Sequence, residues 1–158
     1  MTRQIITPGT ILEVFLSETL YAYGQVVSRS EIAFFDYIGK QITDLSELDS
    51  VLNDTLFIIP VMNSAITRGR WKKIAKRPLR EAFLSPRDYF VVDQISKSIQ
   101  IYRSSDDSMR PGTAKQAMQL ECAAVWSAEH VEDRLRDHYL GKKNMWLEQL
   151  REPLTAIL

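Results

Sequence analysis

Apolar residues recur at every second position in the first third of the chain, which is the pattern of β-strands. Three such runs span residues 10–16, 20–28 and 31–37, and short polar segments join them. A parallel crossover needs a dozen or more residues, so joins this short predict an antiparallel meander. Both faces of the first run are mostly apolar, and we therefore expect other elements to cover it on both sides.

The middle of the chain alternates between short apolar runs and turn-forming residues. Asp44, with Glu47 three positions later, predicts a capping box at the start of a helix that ends near Asn53. The polar segment 104–112 is predicted to be a mobile loop. Four further runs are predicted strands, the last two of them paired as a hairpin: 56–62, 70–75, 89–92 and 98–103. We expect three aromatic side chains of the sheet to be buried: Phe34, Phe57 and Trp71.

Near the C-terminus the period of the apolar positions changes to that of helices. Ser127 is a suitable N-cap for a helix over 128–140, and Gly141 is a suitable stop signal directly after it. A second, shorter helix is predicted over 145–151, ending before Pro153, because proline interrupts helical hydrogen bonding.

Residues 113–125 fit two patterns. Alternation over 120–126 favours a last strand, while the Ala, Gln and Met content of the segment makes a helix almost as good. The sum of these elements is an α+β fold, with a mostly antiparallel β-sheet or partly open barrel. The predicted organisation is one domain over 1–158, β-rich over 8–126 with a short helix near 44–53, and helical over 127–152.

Composition narrows the class of protein. The 158 residues carry 20 Lys and Arg against 20 Asp and Glu, so no net charge drives the chain onto nucleic acid or anionic lipid. Cys122 is the single cysteine, which excludes an intrachain disulfide and a cysteine-rich metal site. No apolar run approaches the length of a membrane helix. We expect a cytoplasmic protein that does not bind membranes.

Catalytic motifs are scarce in the sequence. His130 and His138 are eight positions apart on one predicted helix, about 12 Å along its axis, which is too far to share a metal ion. A hydrolase built on either histidine is one hypothesis. A solvated helix face with ion pairs to Arg134 and Arg136 is favoured instead. No phosphate-binding loop or nucleophile elbow is present, so we predict neither an enzyme nor a cofactor.

One segment is strongly basic. Between residues 66 and 80 seven Lys and Arg residues occur without an acid, and Trp71 lies among them. The stretch 68–80 could therefore bind phosphates and stack a base, which makes a small nucleic-acid-binding module the alternative function. The favoured interpretation is a solvated strand with Trp71 turned into the core, because the whole chain is neutral and direct nucleic-acid binding is not expected.

The segment 31–54 has the opposite charge, with six acids and one lysine. An acidic surface of this kind suits a basic protein partner and speeds association with it. The alternative is a solubilising surface that only caps a helix. Four of its residues are the candidate partner-binding site: Asp44, Glu47, Asp49 and Asp54.

Several short motifs, in this order, resemble the immunity protein 26 family of bacterial polymorphic toxin systems: Pro8-Gly9, the run from Tyr21 to Val26, the run from Ile32 to Asp36, Leu56-Phe57, and Gly69-Arg70-Trp71. The resemblance spans roughly residues 8–75. It implies a largely β, non-enzymatic protein that binds a cognate toxin in the cytoplasm and neutralises it through a tight complex. A nuclease toxin would match an acidic inhibitor, since nucleases need basic grooves to hold phosphates.

Overall fold

A computed structural model describes residues 5–158 of the chain. Within that range it contains nine strands and six helices, and the predicted α+β class is confirmed. In chain order the elements are β1 (Thr10–Ser17), β2 (Leu20–Val26), β3 (Glu31–Gly39), α1 (Leu45–Val51), β4 (Thr55–Pro60), α2 (Ser64–Thr67), β5 (Lys72–Lys76), α3 (Glu81–Leu84), β6 (Asp88–Val92), β7 (Ile99–Arg103), β8 (Ser108–Pro111), α4 (Ala114–Met118), β9 (Glu121–Cys122), α5 (Ala128–Leu140) and α6 (Met145–Thr155).

The first sheet has five strands in the order β4-β3-β2-β1-β5, and every neighbouring pair is antiparallel. Its centre is the predicted meander of β1, β2 and β3. The predicted strand at 70–75 is displaced to β5, because Gly69, at a φ of +76°, turns the chain so that Trp71 enters the core just before the strand begins. A positive φ is easily adopted by glycine, which has no Cβ.

Both faces of the first sheet are covered, as the apolar character of β1 predicts. One face packs with Trp126 and with Val131 and Leu135 of α5, while α1 and α3 cover much of the other face through Leu48 and Phe83. The three aromatic residues expected in the core are buried, with exposures of 0% for Phe34, 9% for Phe57 and 0% for Trp71.

A second sheet has the order β8-β7-β6-β9, and its last strand runs parallel to β6. A separate core lies between this sheet and helices α4 and α6, with Phe90, Ile101, Ala117 and Leu154 fully buried. The predicted hairpin of 89–92 and 98–103 is confirmed as β6 and β7. The prediction of a mobile loop over 104–112 is wrong, because Ser108–Pro111 pairs with β7. All four residues of β8 are exposed, so no apolar alternation marks the strand.

The ambiguous segment 113–125 contains one element of each kind. Thr113 and Gln116 form a capping box that starts α4, and the chain then extends into the two-residue strand β9. Trp126 follows and forms an isolated bridge with Val61 at the end of β4. The favoured prediction of a strand is therefore correct only for Glu121–Cys122. The alternative prediction of a helix is correct only for Ala114–Met118.

Helix α5 has the predicted bounds, with Ser127 as its N-cap and Gly141 in the left-handed conformation at its end. The predicted end of α6 before Pro153 is wrong, since the helix continues to Thr155. Its C-terminal part is held by tertiary contacts: Arg151 donates to the carbonyl oxygen of Leu120, just before β9, and Leu154 is buried in the core of the second sheet. Tertiary contacts thus outweigh the local effect of the proline.

Candidate functional site

The four acidic residues of the candidate site lie on or beside α1, and all four are exposed. Asp44 is the N-cap, accepting a hydrogen bond of 2.9 Å from the backbone N–H of Ser46. This bond and the Ser46 hydroxyl lower the pKa of Asp44. The cap therefore uses the second helical residue in place of the predicted capping box with Glu47, and the helix spans Leu45–Val51 in place of 44–53.

The acidic and basic segments meet in the folded chain. Arg77 donates to the carboxylate of Asp49 at 2.7 Å, and this bond raises the pKa of Arg77. Arg80 donates to the carbonyl oxygens of Leu52 and Asn53 at 2.7 and 2.6 Å, at the C-terminal end of α1. Cations are favourable there, because the last carbonyls of a helix carry partial negative charge. The two surfaces therefore partly neutralise each other.

Two acids of the candidate site remain, Glu47 and Asp54. Their carboxylates take part neither in the helix cap nor in the Asp49–Arg77 ion pair. Glu47 is in the first turn of α1, and its charge contributes to a raised pKa of Tyr37, of which burial is the largest cause. Asp54 precedes β4, and its carbonyl oxygen accepts from the N–H of Asp36 at 2.8 Å. Of the four acids, these two have exposed carboxylates that neither cap the helix nor form one of the described ion pairs.

Arg70 and Trp71 of the basic stretch are also engaged, with acids of α5. The guanidinium of Arg70 forms two bonds of 2.9 and 2.8 Å with the buried carboxylate of Glu132 on α5, and Trp71 donates its indole N–H to the same group at 2.9 Å. Glu129 accepts a further bond from Arg70 at 3.0 Å. The prediction that Trp71 faces the core is confirmed, and its ring lacks the exposure that base stacking needs.

The two histidines lie on α5 without a shared site. His130 stacks on Trp146 of α6, with ring centroids 3.6 Å apart and an angle of 13° between the planes. His138 is exposed near Tyr139. Over residues 5–158, no group of three His, Cys, Asp or Glu side chains is arranged to hold a metal ion.

Of the ion pairs expected on this helix face, the one between Arg136 and Asp133 is present, while Arg134 has its partner outside the helix. Arg134 binds Glu121 at 2.8 Å and lies 3.7 Å above the ring of Phe57. Arg136 pairs with Asp133 at 3.1 Å and donates to the carbonyl oxygen of Leu16 at 2.9 Å. These arginines attach α5 to the first sheet and to β9, so the helix face is only partly solvated.

A cleft of about 560 Å³ lies between the two sheets and contains a buried carboxylate, Glu31, that the sequence pattern does not distinguish from the surface acids. Arg87 binds it with two nitrogens at 3.0 and 2.9 Å, Ser28 donates at 2.7 Å, and Ser104 donates at 3.0 Å. The hydroxyl of Tyr89 donates to the same carboxylate. Glu31 thereby connects β3 to β6 and to the end of β7.

The electrostatics of this cluster favour a fixed ion pair. Burial alone would raise the pKa of Glu31, but hydrogen bonds from Arg87, Tyr89 and Ser28 together lower it. Burial and the bond to Glu31 raise the pKa of Tyr89. At neutral pH the carboxylate is ionised and the phenol is protonated, so neither group is poised to exchange a proton there. The arrangement serves to join the two sheets.

The family model of immunity protein 26 matches residues 7–100, more than half of the chain. The chain belongs to the immunity protein 26 family. No curated protein and no solved structure shows a significant match.

The matched region of this immunity protein covers the first sheet, α1 to α3, β6 and the start of β7. It includes all four acids of the candidate site and the Glu31 cluster apart from Ser104. It ends before α5, although α5 supplies the carboxylate that holds Arg70 and Trp71. Among the helices that the structure describes, none is long and apolar enough to span a membrane.

Proposed function

We propose that this protein neutralises a cognate toxin in the cytoplasm by binding the toxic domain directly, without catalysis. The observation that carries the proposal is the match to the immunity protein 26 family over residues 7–100. A tight one-to-one complex that buries about 1,600 Å² would be enough to occlude or distort an active site. Inhibition then depends on shape and charge, and it needs no reactive group from the inhibitor.

We place one contact region on the acidic side of α1. Glu47 and Asp54 are exposed there, while Asp44 is engaged as a helix cap and Asp49 is paired with Arg77. An exposed pair of carboxylates attracts a basic partner and increases the rate of association more than the affinity. The proposal favours a toxin with a basic substrate groove, of which a nuclease is the leading class.

The first experiment asks whether the chain protects cells. The toxin domain encoded by the adjacent gene is expressed with and without this protein, and complex formation is measured with the purified pair. Protection together with a one-to-one complex supports the proposal. If the folded protein neither binds that domain nor protects cells from it, the proposed function is wrong.

The second experiment tests the acidic surface with the double variant Glu47→Lys and Asp54→Lys, which keeps the cap at Asp44 and the ion pair at Asp49. The matched control is Glu148→Lys with Glu152→Lys, an equal charge change on exposed residues of α6. We expect the first variant to associate with the toxin about tenfold more slowly at low salt, and the control to change little. Equal association rates for the two folded variants would place the toxin contact elsewhere.

A further inference from the structure

Three aromatic side chains lie side by side on one face of β1, β2 and β3, at one end of the first sheet. Phe15 and Tyr21 meet edge to face, with ring centroids 5.5 Å apart. Tyr21 is opposite Gly39 on β3, and the ring of Tyr37 lies over that glycine: a Cβ there would be 2.9 Å from the Tyr37 hydroxyl oxygen and 3.1 Å from its ring. Phe15, Tyr21 and Tyr37 are called the aromatic row below.

The aromatic row is on the face that α1 and α3 cover, but at its accessible end. Ile11 and Phe35 on this face are buried, with exposures of 0% and 1%, while Phe15 is 51% exposed. Tyr21 and Tyr37 are partly exposed. A solvent-facing row of neighbouring aromatics on a sheet differs from the scattered single apolar residues that are normal on protein surfaces.

Hydrogen bonding and packing hold the row in place before any partner arrives. The hydroxyl of Tyr37 donates to the carbonyl oxygen of Lys40 at 2.8 Å, and its ring lies 5.8 Å from the buried ring of Tyr23. Tyr23 in turn donates to the buried Glu13 and accepts from the N–H of Ile42. Aromatic side chains fixed in this way lose little conformational entropy on binding.

The charge around the row is acidic. Burial is the largest cause of the raised pKa of Tyr37, and the charge of Glu47 contributes to it. Leu48, the residue after Glu47 on α1, packs in the same apolar cluster as Tyr37. Glu18, in the turn between β1 and β2, is exposed at the other end of the row. Lys40 is the basic residue that contributes its backbone oxygen to Tyr37. The surface therefore suits a partner that combines an apolar contact with positive charge.

We propose that the aromatic row anchors the toxin, with the acidic residues beside it directing a basic surface of the toxin onto it. The inference rests on the proposed function, and it names the surface that provides most of the binding energy. Aromatic residues dominate the few positions that determine affinity in protein interfaces, and charges at the rim mainly affect the rate of association. Glu47 then belongs to the rim of an interface centred on Phe15 and Tyr37.

Two substitutions of Phe15 test the row, each with a control of equal exposure. Phe15→Ala removes the anchor, and Phe15→Arg also places positive charge against a basic partner. Met109 on β8 is likewise 51% exposed and takes the same two substitutions as the control. With the toxin domain encoded by the adjacent gene as the probe, we expect Kd to rise about 30-fold for Phe15→Ala. Kd should rise further for Phe15→Arg, and it should stay within about twofold of the parent value for the Met109 variants.

A measurement on the unmodified protein tests the same inference without requiring that any variant folds. Hydrogen exchange of the β1–β2 hairpin should slow when the toxin domain binds, while exchange in β8 should not change. Slowed exchange together with the loss of affinity supports the inference.

Three results overturn the inference, and they are distinguishable. If the parent protein binds the toxin and folded Phe15 variants bind equally well, the row is not the anchor, but the proposed function stands. If the substitutions instead abolish self-association seen by sedimentation and leave toxin affinity unchanged, the row is a contact between two copies of this chain. If the parent does not bind the toxin at all, the proposed function fails, and the anchor fails with it.

Discussion

Glu31 shows how a single residue connects two sheets. The residue is 4% exposed, and its carboxylate accepts hydrogen bonds from Ser28, Arg87, Tyr89 and Ser104. A buried charge is tolerated only when it is paired and fully hydrogen-bonded, and all of these donors come from neighbouring turns and strands of the cleft. Removing the charge leaves the guanidinium of Arg87 without its counter-ion in a site that is mostly shielded from water.

We expect Glu31→Gln to reduce the free energy of unfolding by about 3–5 kcal/mol at neutral pH, because it leaves a buried cation uncompensated. The pKa of Glu31 is below its ordinary value of 4.5, so this residue stabilises the fold above that pH and loses its contribution as pH falls towards the lowered pKa. The difference between parent and variant should therefore shrink from about pH 5 downwards.

Urea unfolding of both proteins between about pH 3 and pH 7 measures the effect of Glu31. Ser28→Ala is a control, because it removes one hydrogen bond and keeps the ion pair with Arg87. A difference between Glu31→Gln and the parent that stays constant over this range would contradict the lowered pKa.

Glu129 and Glu132 are a matched pair of acids that bind the same arginine. The Glu129 side chain is 62% exposed and that of Glu132 is 6% exposed, and both accept from Arg70. Glu132→Ala should cost about 1–3 kcal/mol or more, because it also leaves the buried indole N–H of Trp71 without its Glu132 acceptor. Glu129→Ala should cost at most about 1 kcal/mol, since exposed ion pairs contribute little. Thermal unfolding of the two variants compares them directly, and equal losses would refute this ranking.

At the scale of elements, α6 continues past a proline because its last turn is anchored from outside. Pro153 lacks the N–H that would bond back to Gln149, and an interior proline costs a helix about 3 kcal/mol. Arg151 and Leu154 fix the residues around it on the second sheet. Pro153→Ala should therefore stabilise the protein, by up to about 2 kcal/mol after allowance for the more flexible unfolded chain. A chemical denaturation midpoint below that of the parent would contradict this prediction.

The elements that the sequence predicts well are those with a local signal. The meander has period-2 alternation and short turns, and α5 has both a cap at Ser127 and a stop at Gly141. The elements that the sequence does not predict lack such a local signal. Strand β8 is exposed at every residue, and α2 and α3 are single turns of four residues, too short to show a period. In α6 the local signal at Pro153 is real, but distant contacts override it.

The predicted candidate site shows the same limit. Exposure of the four acids follows from their polar, interrupted pattern, whereas the bond between Asp49 and Arg77 joins residues 28 positions apart. Glu31 sits among surface acids in the sequence, yet its partners Arg87 and Tyr89 are 56 and 58 positions away. Charge counts along the chain cannot distinguish these residues, because burial and pairing depend on how distant strands meet.

On the scale of the whole molecule, opposite charges are separated along the chain and brought together in the fold. The basic stretch binds α1 through Arg77 and Arg80, and it binds α5 through Arg70. A chain of zero net charge thus keeps an acidic rim at Glu47 while most of its arginines hold elements together. The fold thus leaves a local acidic surface that can attract a partner, although the protein as a whole has no strong electrostatic field.

The C-terminal helices lie outside the matched family region, yet they complete its core. Val131 and Leu135 of α5 are fully buried against the first sheet, and Glu132 fixes Trp71. Leu154 of α6 completes the core of the second sheet. Removing residues 127–158 would expose much of both cores, and a sheet with one bare apolar face has little independent stability.

We therefore propose that residues 1–158 form one domain and unfold as one unit. Far-UV circular dichroism and tryptophan fluorescence should report the same denaturation midpoint for the full chain, because coincident transitions mark two-state unfolding. A chain ending at residue 126 should show no cooperative transition. The control ends at Thr155 and removes only exposed residues, so its stability should stay within about 0.5 kcal/mol of the parent. If the chain ending at residue 126 instead unfolds cooperatively at the parental midpoint, the family region is a domain by itself and α5 and α6 are an appendage.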